Sequence, residues 1–180
     1  MTRSEIWRIE KYLRNLFRLD TITLIERQQS DSVEVHVGGE DPMTLRCNLF
    51  VNSAGLHAPA VARSIVGMPA DRVPTEYFAK GNYFYLSGKA PFERLIYPLP
   101  DSASLGLHYT RDMAGQGRFG PDIQWVPAVN YDVDESREAA FYAAIRKYWP
   151  GIPDGALRPG YAGIRPKIQA PGEAASDFAI

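Results

Sequence analysis

Between Thr21 and Val66 the chain passes through three alternating runs, one solid apolar run and one helical pattern, an order that few folds accept. Thr21 to Ile25, Ser32 to Val37 and Met43 to Cys47 alternate polar with apolar residues, and polar or glycine-rich stretches separate them. A period of two is the mark of a strand with one dry face, so the three runs are expected to form an antiparallel meander. Asn48 to Asn52 is a short apolar run that ends at Ser53-Ala54-Gly55, and Ala58 to Val66 then takes up helical spacing. A buried strand that hands the chain through small residues to a helix is the local pattern of an α/β nucleotide-binding sheet. Upstream, Ile6, Ile9, Leu13, Leu16 and Phe17 recur at helical spacing and predict an amphipathic helix from Ser4 to about Phe17.

Beyond Pro74 the chain is denser in proline, glycine and aromatic residues. Strands are predicted at Gly81 to Leu86, Leu95 to Pro98, Leu105 to Thr110 and Ala162 to Lys167. One helix interrupts them: Asp134 is a good N-cap, Phe141, Ile145 and Tyr148 form an apolar stripe, and Pro150-Gly151 ends it. The fold class expected is α+β, with residues 1–70 holding helix, meander and strand-turn-helix, and residues 71–180 forming a β-rich domain.

Composition excludes several function classes. With 20 basic and 21 acidic residues the net charge is -1, and no basic patch offers a footprint for nucleic acid. The single Cys47 cannot form an intrachain disulfide or a multi-cysteine zinc site, and no metal site is expected. A reducing, cytoplasmic setting fits. No apolar run approaches the roughly 18 residues of a spanning helix, so any membrane association has to be peripheral, as at an inner membrane.

Several constellations can carry chemistry. Gly115-Gln116-Gly117-Arg118-Phe119-Gly120 has the letters G-x-G-x-x-G, but Pro121-Asp122 follows and no helical period succeeds it. A dinucleotide fingerprint needs a helix N-terminus there, so the segment reads as a flexible glycine-rich loop. Asn52-Ser53-Ala54-Gly55-Leu56 suits close approach of a flat cofactor to main chain, or simply a tight strand-to-helix turn. In Gly163-Ile164-Arg165-Pro166-Lys167 a strand puts Arg165 and Lys167 on one face. Arginine can grip a carboxylate with two hydrogen bonds, although surface arginines are common. His108, Thr110 and Asp112 alternate with Leu107 and Tyr109, which makes His108 either a general base or a structural histidine. His36 reads as a surface residue, and His57 as either a cofactor neighbour or helix-start packing. Tyr77, Phe78, Tyr83, Phe84 and Tyr85 read as core and pocket wall, and Lys80 among them needs a carboxylate, a ligand or a route to water.

Taken in order, Phe50 to Leu56, Ala79-Lys80-Gly81-Asn82-Tyr83-Phe84, Leu95-Ile96-Tyr97-Pro98, Gly106 to Thr110 with Asp112, Phe119 to Asp122, Tyr161 to Lys167 and Asp177-Phe178 resemble the D-amino-acid-oxidase-type flavoproteins. Within that superfamily they resemble most the L-2-hydroxyglutarate dehydrogenase/oxidase group. The resemblance implies noncovalent FAD bound near Asn52, Ser53, Ala54, Gly55, Leu56 and Gly163. It also implies that Arg165 holds the C1 carboxylate of a small dicarboxylate and that a 2-hydroxy acid is oxidised to the 2-oxo acid by hydride transfer to flavin. His108 and Arg165 are the candidate catalytic residues. Tyr83 and Thr110 are candidate substrate contacts, with Lys80, Arg111 or Lys167 for the second carboxylate. The electron acceptor stays open between a quinone, an electron-transfer protein and oxygen. The family's opening glycine fingerprint and its closing glycine-rich flavin segment are not recognised in this sequence, so residues 1–70 are expected to be a partial FAD-binding domain. The substrate domain is then expected to be cut short at its C-terminal end, and the chain alone to hold FAD weakly. A flavin-free dicarboxylate-binding module or an inactive remnant is the alternative.

Overall fold

The computed structural model describes residues 22–27, 32–39, 42–99, 106–174 and 176. Its architecture is α+β, in two compact units: Met1–Glu76 with Ser176–Ile180, and Tyr77–Ala175. The helix expected from Ser4 to Phe17 and the Asp177-Phe178 pair lie outside the described residues.

The first unit contains the expected meander. Strands β1 (Ile22–Arg27), β2 (Val33–Val37) and β3 (Met43–Cys47) pair antiparallel in sequence order. Alternation decides the register: Ile25 lies opposite Val35, and both are buried with Val37 against Val61 of helix α1 (Ala58–Arg63). Pro59 sits in the first turn of α1, where its missing N–H has no partner to lose. Past the helix, the Ile25 amide donates to Ser64 O at 3.0 Å and the Val66 amide to Ile25 O at 2.7 Å, which gives β1 a parallel bridge at Ile65.

One expectation fails here. The run Leu49 to Asn52 forms no ladder with any described strand, and Leu49 and Val51 are 77% and 69% exposed. A strand needs a neighbour to take its amides and carbonyls. Without one, only Phe50 packs inward, against the small core of the unit.

In the second unit the long strands β4 (Tyr77–Leu86) and β8 (Leu157–Lys167) pair antiparallel along their length. The opposite edge of β4 is shared end to end: β7 (Gln124–Val126) takes Phe78 to Lys80, and β6 (Gly117–Phe119) takes Phe84 and Tyr85. Strand β5 (Tyr109–Arg111) adds beyond β6. Phe84, Leu86, Leu157, Tyr109 and Phe119 face one way and meet Phe141 and Ile145 of helix α2 (Glu138–Arg146) in the main core. Phe84 and Phe141 pack with ring centroids 4.6 Å apart. Each such side chain contributes about 1.5–3 kcal/mol by leaving water. Asp134 does cap this helical segment, accepting from the Ser136 amide at 3.1 Å.

Three local readings change. Leu95 to Pro98 forms only an isolated bridge between Ile96 and Tyr109, and the strand expected from Leu105 begins at Tyr109, because Gly106 turns the backbone with a φ of 78°. The Gly115–Gly120 stretch is no loose loop: Gly117 and Phe119 are buried and the strand between them lies inside the sheet. Gly117 is required there, since a Cβ would stand 2.9 Å from the ring of fully buried Tyr109. No helix follows it; the chain turns at Gly120-Pro121 instead.

Candidate functional site

The site arises where the sheet is interrupted. Between β6 and β7 the chain leaves the ladder at Gly120 and rejoins it at Gln124, and the bypass lies against Gly81 and Tyr83 of β4. Two glycines make room. A Cβ on Gly81 would be 2.6 Å from Pro121 Cβ, and one on Gly120, whose φ is 134°, would be 2.6 Å from Asn82 O. Asp122 stands in for the missing ladder partner, as its Oδ1 accepts from the Asn82 amide at 2.8 Å and from Asn82 Nδ2 at 3.1 Å.

Asn82 is fully buried and holds the surrounding elements together. Its Nδ2 also donates to Gln124 Oε1 at 3.0 Å, and its Oδ1 accepts the Asp134 amide at 3.0 Å. Gln124 Nε2 donates to Asp134 Oδ2 at 2.7 Å, and Arg137 pairs with Asp122. Strand β4, the bypass and the cap of α2 are thereby fastened to one side chain. A network satisfied at every member fixes geometry.

On the face of the sheet away from α2 this bypass borders a cavity of about 190 Å³, lined among others by Tyr83, His108, Thr110, Arg118, Asp122 and Arg165. That is room for a small metabolite, since liquid water takes roughly 30 Å³ per molecule. The strand period explains the membership. Arg165 is opposite Ala79, Arg118 is opposite both Tyr85 and Thr110, and the neighbours Phe84, Phe119 and Tyr109 go to the core. The His108 ring stands edge-on to Tyr97, with centroids 4.3 Å apart.

The cavity is positively charged. Asp122 is already paired with Arg137, whereas among the described residues no carboxylate is paired with Arg118 or Arg165. The Tyr83 phenol is pushed above its ordinary value, first by burial and next by Tyr161 stacked on it at 4.4 Å, with Arg165 and Arg118 opposing. At neutral pH it is therefore a hydrogen-bond donor.

Four of the residues singled out in the sequence meet in this cavity: Arg165, His108, Tyr83 and Thr110. The three cations expected to supply a second charge do not. Lys80 is buried, and its Nζ donates to Asp132 O at 2.8 Å, so a backbone carbonyl takes one of its donors where a carboxylate, a ligand or a route to water was expected. Arg111 is exposed and donates to Gly115 O at 3.3 Å. Lys167 lies opposite Tyr77, two residues beyond Arg165, outside the lining. Asp112 is spent on the turn after β5, accepting from the amides of Ala114 and Gln116, both at 2.9 Å.

Gly163, opposite Gly81, has nothing within 4 Å of where a Cβ would be, so a flat ring can reach its main chain. In the first unit the Asn52–Leu56 segment is a tight turn. Asn52 Nδ2 donates to Ala58 O at 2.7 Å, its Oδ1 accepts the Ala54 amide at 3.3 Å, and Gly55 (φ 59°) is open above its Cα. The Asn52 side chain is thus committed to shaping the turn. His36 pairs with Glu26 at 3.3 Å on the meander, and Arg46 neutralises the neighbouring Glu34.

Sequence reasoning missed Arg118 and Asp122. The available signal was the buried Phe119 and its alternation with Arg118, which the glycine template obscured.

The profile of the FAD dependent oxidoreductases (DAO) matches residues 12–178. The chain is 39% identical to the mitochondrial L-2-hydroxyglutarate dehydrogenase of Arabidopsis thaliana, an alignment that covers 91% of this chain and 38% of that protein. It therefore spans about two fifths of the length of this curated relative. The fold is similar to that of an L-alpha-glycerophosphate oxidase from Mycoplasma pneumoniae, solved with FAD bound, with a TM-score of 0.66 at 15% identity over 84% of this chain and 39% of the other. A glycine oxidase from Geobacillus kaustophilus gives a TM-score of 0.59 at 15% identity over 82% of this chain and 36% of the other.

Proposed function

We propose, from the premise that this chain belongs to the family of FAD-dependent oxidoreductases, that it carries the substrate site of an enzyme oxidising L-2-hydroxyglutarate to 2-oxoglutarate. The observation that carries the reading is the cavity itself, where an arginine with no carboxylate partner among the described residues, a histidine and a protonated phenol converge. Arg165 suits the C1 carboxylate, because its fork can make two parallel hydrogen bonds to a planar anion. His108 suits the role of the base that takes the hydroxyl proton, and Tyr83 that of a donor to a substrate oxygen. The residues of the second unit fit FAD: Gly163, two residues from Arg165 on β8, leaves its main chain open to a flat ring. When bound, FAD supplies the acceptor for the hydride from C2. The remainder of the site orients the acid and keeps its carboxylate from water.

The partners in this reading are a small dicarboxylate and an electron acceptor of the quinone, electron-transfer-protein or oxygen class. No helix among the described residues is long and apolar enough to cross a membrane, so contact with a membrane-bound acceptor is proposed as peripheral. A reducing compartment such as the cytoplasm is supported by the single free Cys47.

The test is calorimetric titration of the chain, in excess FAD, with 2-oxoglutarate, alongside dye-linked oxidation of L-2-hydroxyglutarate. Arg165→Lys should weaken 2-oxoglutarate by about ten- to a hundred-fold, the loss of roughly 1.5–3 kcal/mol expected when a charged two-pronged contact becomes a point contact. Unchanged binding removes Arg165 from the site. A saturable shift of the flavin absorbance band as FAD is titrated into the chain, which a weak complex also gives, separates an enzyme from a flavin-free binding module.

A further inference from the structure

The structure assigns to Arg118 the second carboxylate of the substrate, and with it the preference for a dicarboxylate over a monocarboxylate. The assignment rests on the reading of Arg165 as the C1 anchor. Both arginines line the cavity, one on β6 and one on β8, on either side of β4.

Arg118 is held in place before any ligand arrives. Its Nε donates to Thr110 Oγ1 at 2.9 Å. Its guanidinium carbon lies 5.6 Å from the Tyr161 ring centroid and 5.9 Å from that of Tyr83, against a pair of rings that are themselves stacked. Such contacts suit arginine's flat, weakly hydrated cation. They occupy the Nε–H and the ring-facing side of the group. The four N–H bonds of the two terminal nitrogens have no protein acceptor among the described residues. A guanidinium fixed by its stem with its fork unused is prepared for an anion from outside the chain.

Charge balance points the same way. Asp122, the carboxylate in the lining, is engaged by Arg137 and Asn82, so it cannot compensate either cavity arginine. Two cations with no carboxylate partner among the described residues, in one small cavity, are best matched by a ligand with an anion at each end. A monocarboxylate would satisfy one and leave the other partly desolvated, which is costly for a charge. Discrimination by an unpaired polar group exceeds what apolar contacts supply.

The probes are glutarate and butyrate, which differ in the second carboxylate, titrated by calorimetry into the full 180-residue chain in excess FAD. The unaltered chain should bind glutarate more tightly than butyrate. Arg118→Met should weaken glutarate by about ten- to a hundred-fold, to the butyrate level, and leave butyrate within about two-fold. Arg165→Met should weaken both. Thr110→Val removes the hydroxyl that fixes Arg118 without removing the charge, and should lower glutarate affinity several-fold while sparing butyrate. It serves as the second variant should Arg118→Met fail to melt cooperatively. Equal weakening of both acids by Arg118→Met and by Thr110→Val, with Arg165→Met behaving as stated, overturns the role of Arg118 and leaves the C1 anchor intact. Indifference of both acids to Arg165→Met overturns the site reading itself. An unaltered chain that does not distinguish glutarate from butyrate, or that binds neither, also overturns the assignment.

Discussion

Replacing Asn82 with alanine should unfasten the second unit far more than the loss of one polar side chain suggests. The side chain makes three hydrogen bonds, accepting from the Asp134 amide at 3.0 Å and donating to Asp122 at 3.1 Å and Gln124 at 3.0 Å, from a position with no solvent exposure. Truncation does not harm every partner equally. Asp122 keeps the Asn82 amide and Arg137, and Gln124 keeps its bond to Asp134 through Nε2, but the Asp134 amide and Gln124 Oε1 each lose a partner. A buried polar group left unsatisfied costs about 1–3 kcal/mol. With partial relaxation the total comes to roughly 2–4 kcal/mol, which lowers the melting temperature of a unit this size by about 10–20 °C. The assay is thermal unfolding followed by tryptophan fluorescence, for which Trp149, packed against Phe92 and Phe119, reports on this core. Exposed Lys89→Ala is the control. Asn82→Asp keeps the shape but sets a third carboxyl beside Asp122 and Asp134. Repulsion raises the pKa of the introduced group, so its destabilisation should be full at neutral pH and fade as pH falls through that raised value. If Asn82→Ala melts within about 0.5 kcal/mol of the control, the network is not what holds the bypass against β4.

His108→Ala in the FAD-loaded enzyme should lower kcat more than it raises KM, by about 10² to 10⁴, because a base acts chiefly in the transition state; normal kcat with a lower Tm would mark a structural histidine. Tyr109→Phe should leave stability unchanged or raise it by up to about 1 kcal/mol, since the Tyr109 hydroxyl is buried without a partner among the described residues; a drop in Tm would mean that it has one. Asp134 has its pKa held below 3.8, first by the Ser136 hydroxyl and next by Gln124, so the stability it adds is present above that value and lost as pH falls through the depressed folded value. Melting curves between pH 5 and about 3 should steepen in the unaltered chain relative to Asp134→Asn, which keeps an acceptor at the cap but does not titrate, and parallel curves would refute the linkage.

The legible parts of this fold are those whose partners are near in sequence. The meander could be read because β1, β2 and β3 pair with their successors and each keeps a dry face, so period two alone specifies the pairing. The helix after Asp134 could be read because cap, stripe and stop are all local. Arg165, His108 and Thr110 came from strand alternation and Tyr83 from the aromatic cluster, each combined with a family resemblance, and the structure brings the four to one cavity. Lys80 was misread because its partner is a backbone carbonyl 52 residues away, which no residue pattern records. Arg118 was missed for a related reason. A three-residue strand shows too little alternation to be recognised, and what makes Gly117–Phe119 a strand is distant: Tyr109 over Gly117 on one side and Phe84 paired with Phe119 on the other. The break between β6 and β7 is more hidden still. There a side-chain carboxylate replaces a ladder carbonyl, and two glycines matter for the atoms they leave out. A regular sheet would have closed over this region with strand beside strand. Interrupting the ladder opens an edge of β4 beside the cavity but exposes backbone groups that must be satisfied, and Asn82 with Asp122 is the device that satisfies them. The cavity and the buried network are thus one structural solution, which is why loosening Asn82 should also weaken the hold on an acid bound between Arg165 and Arg118.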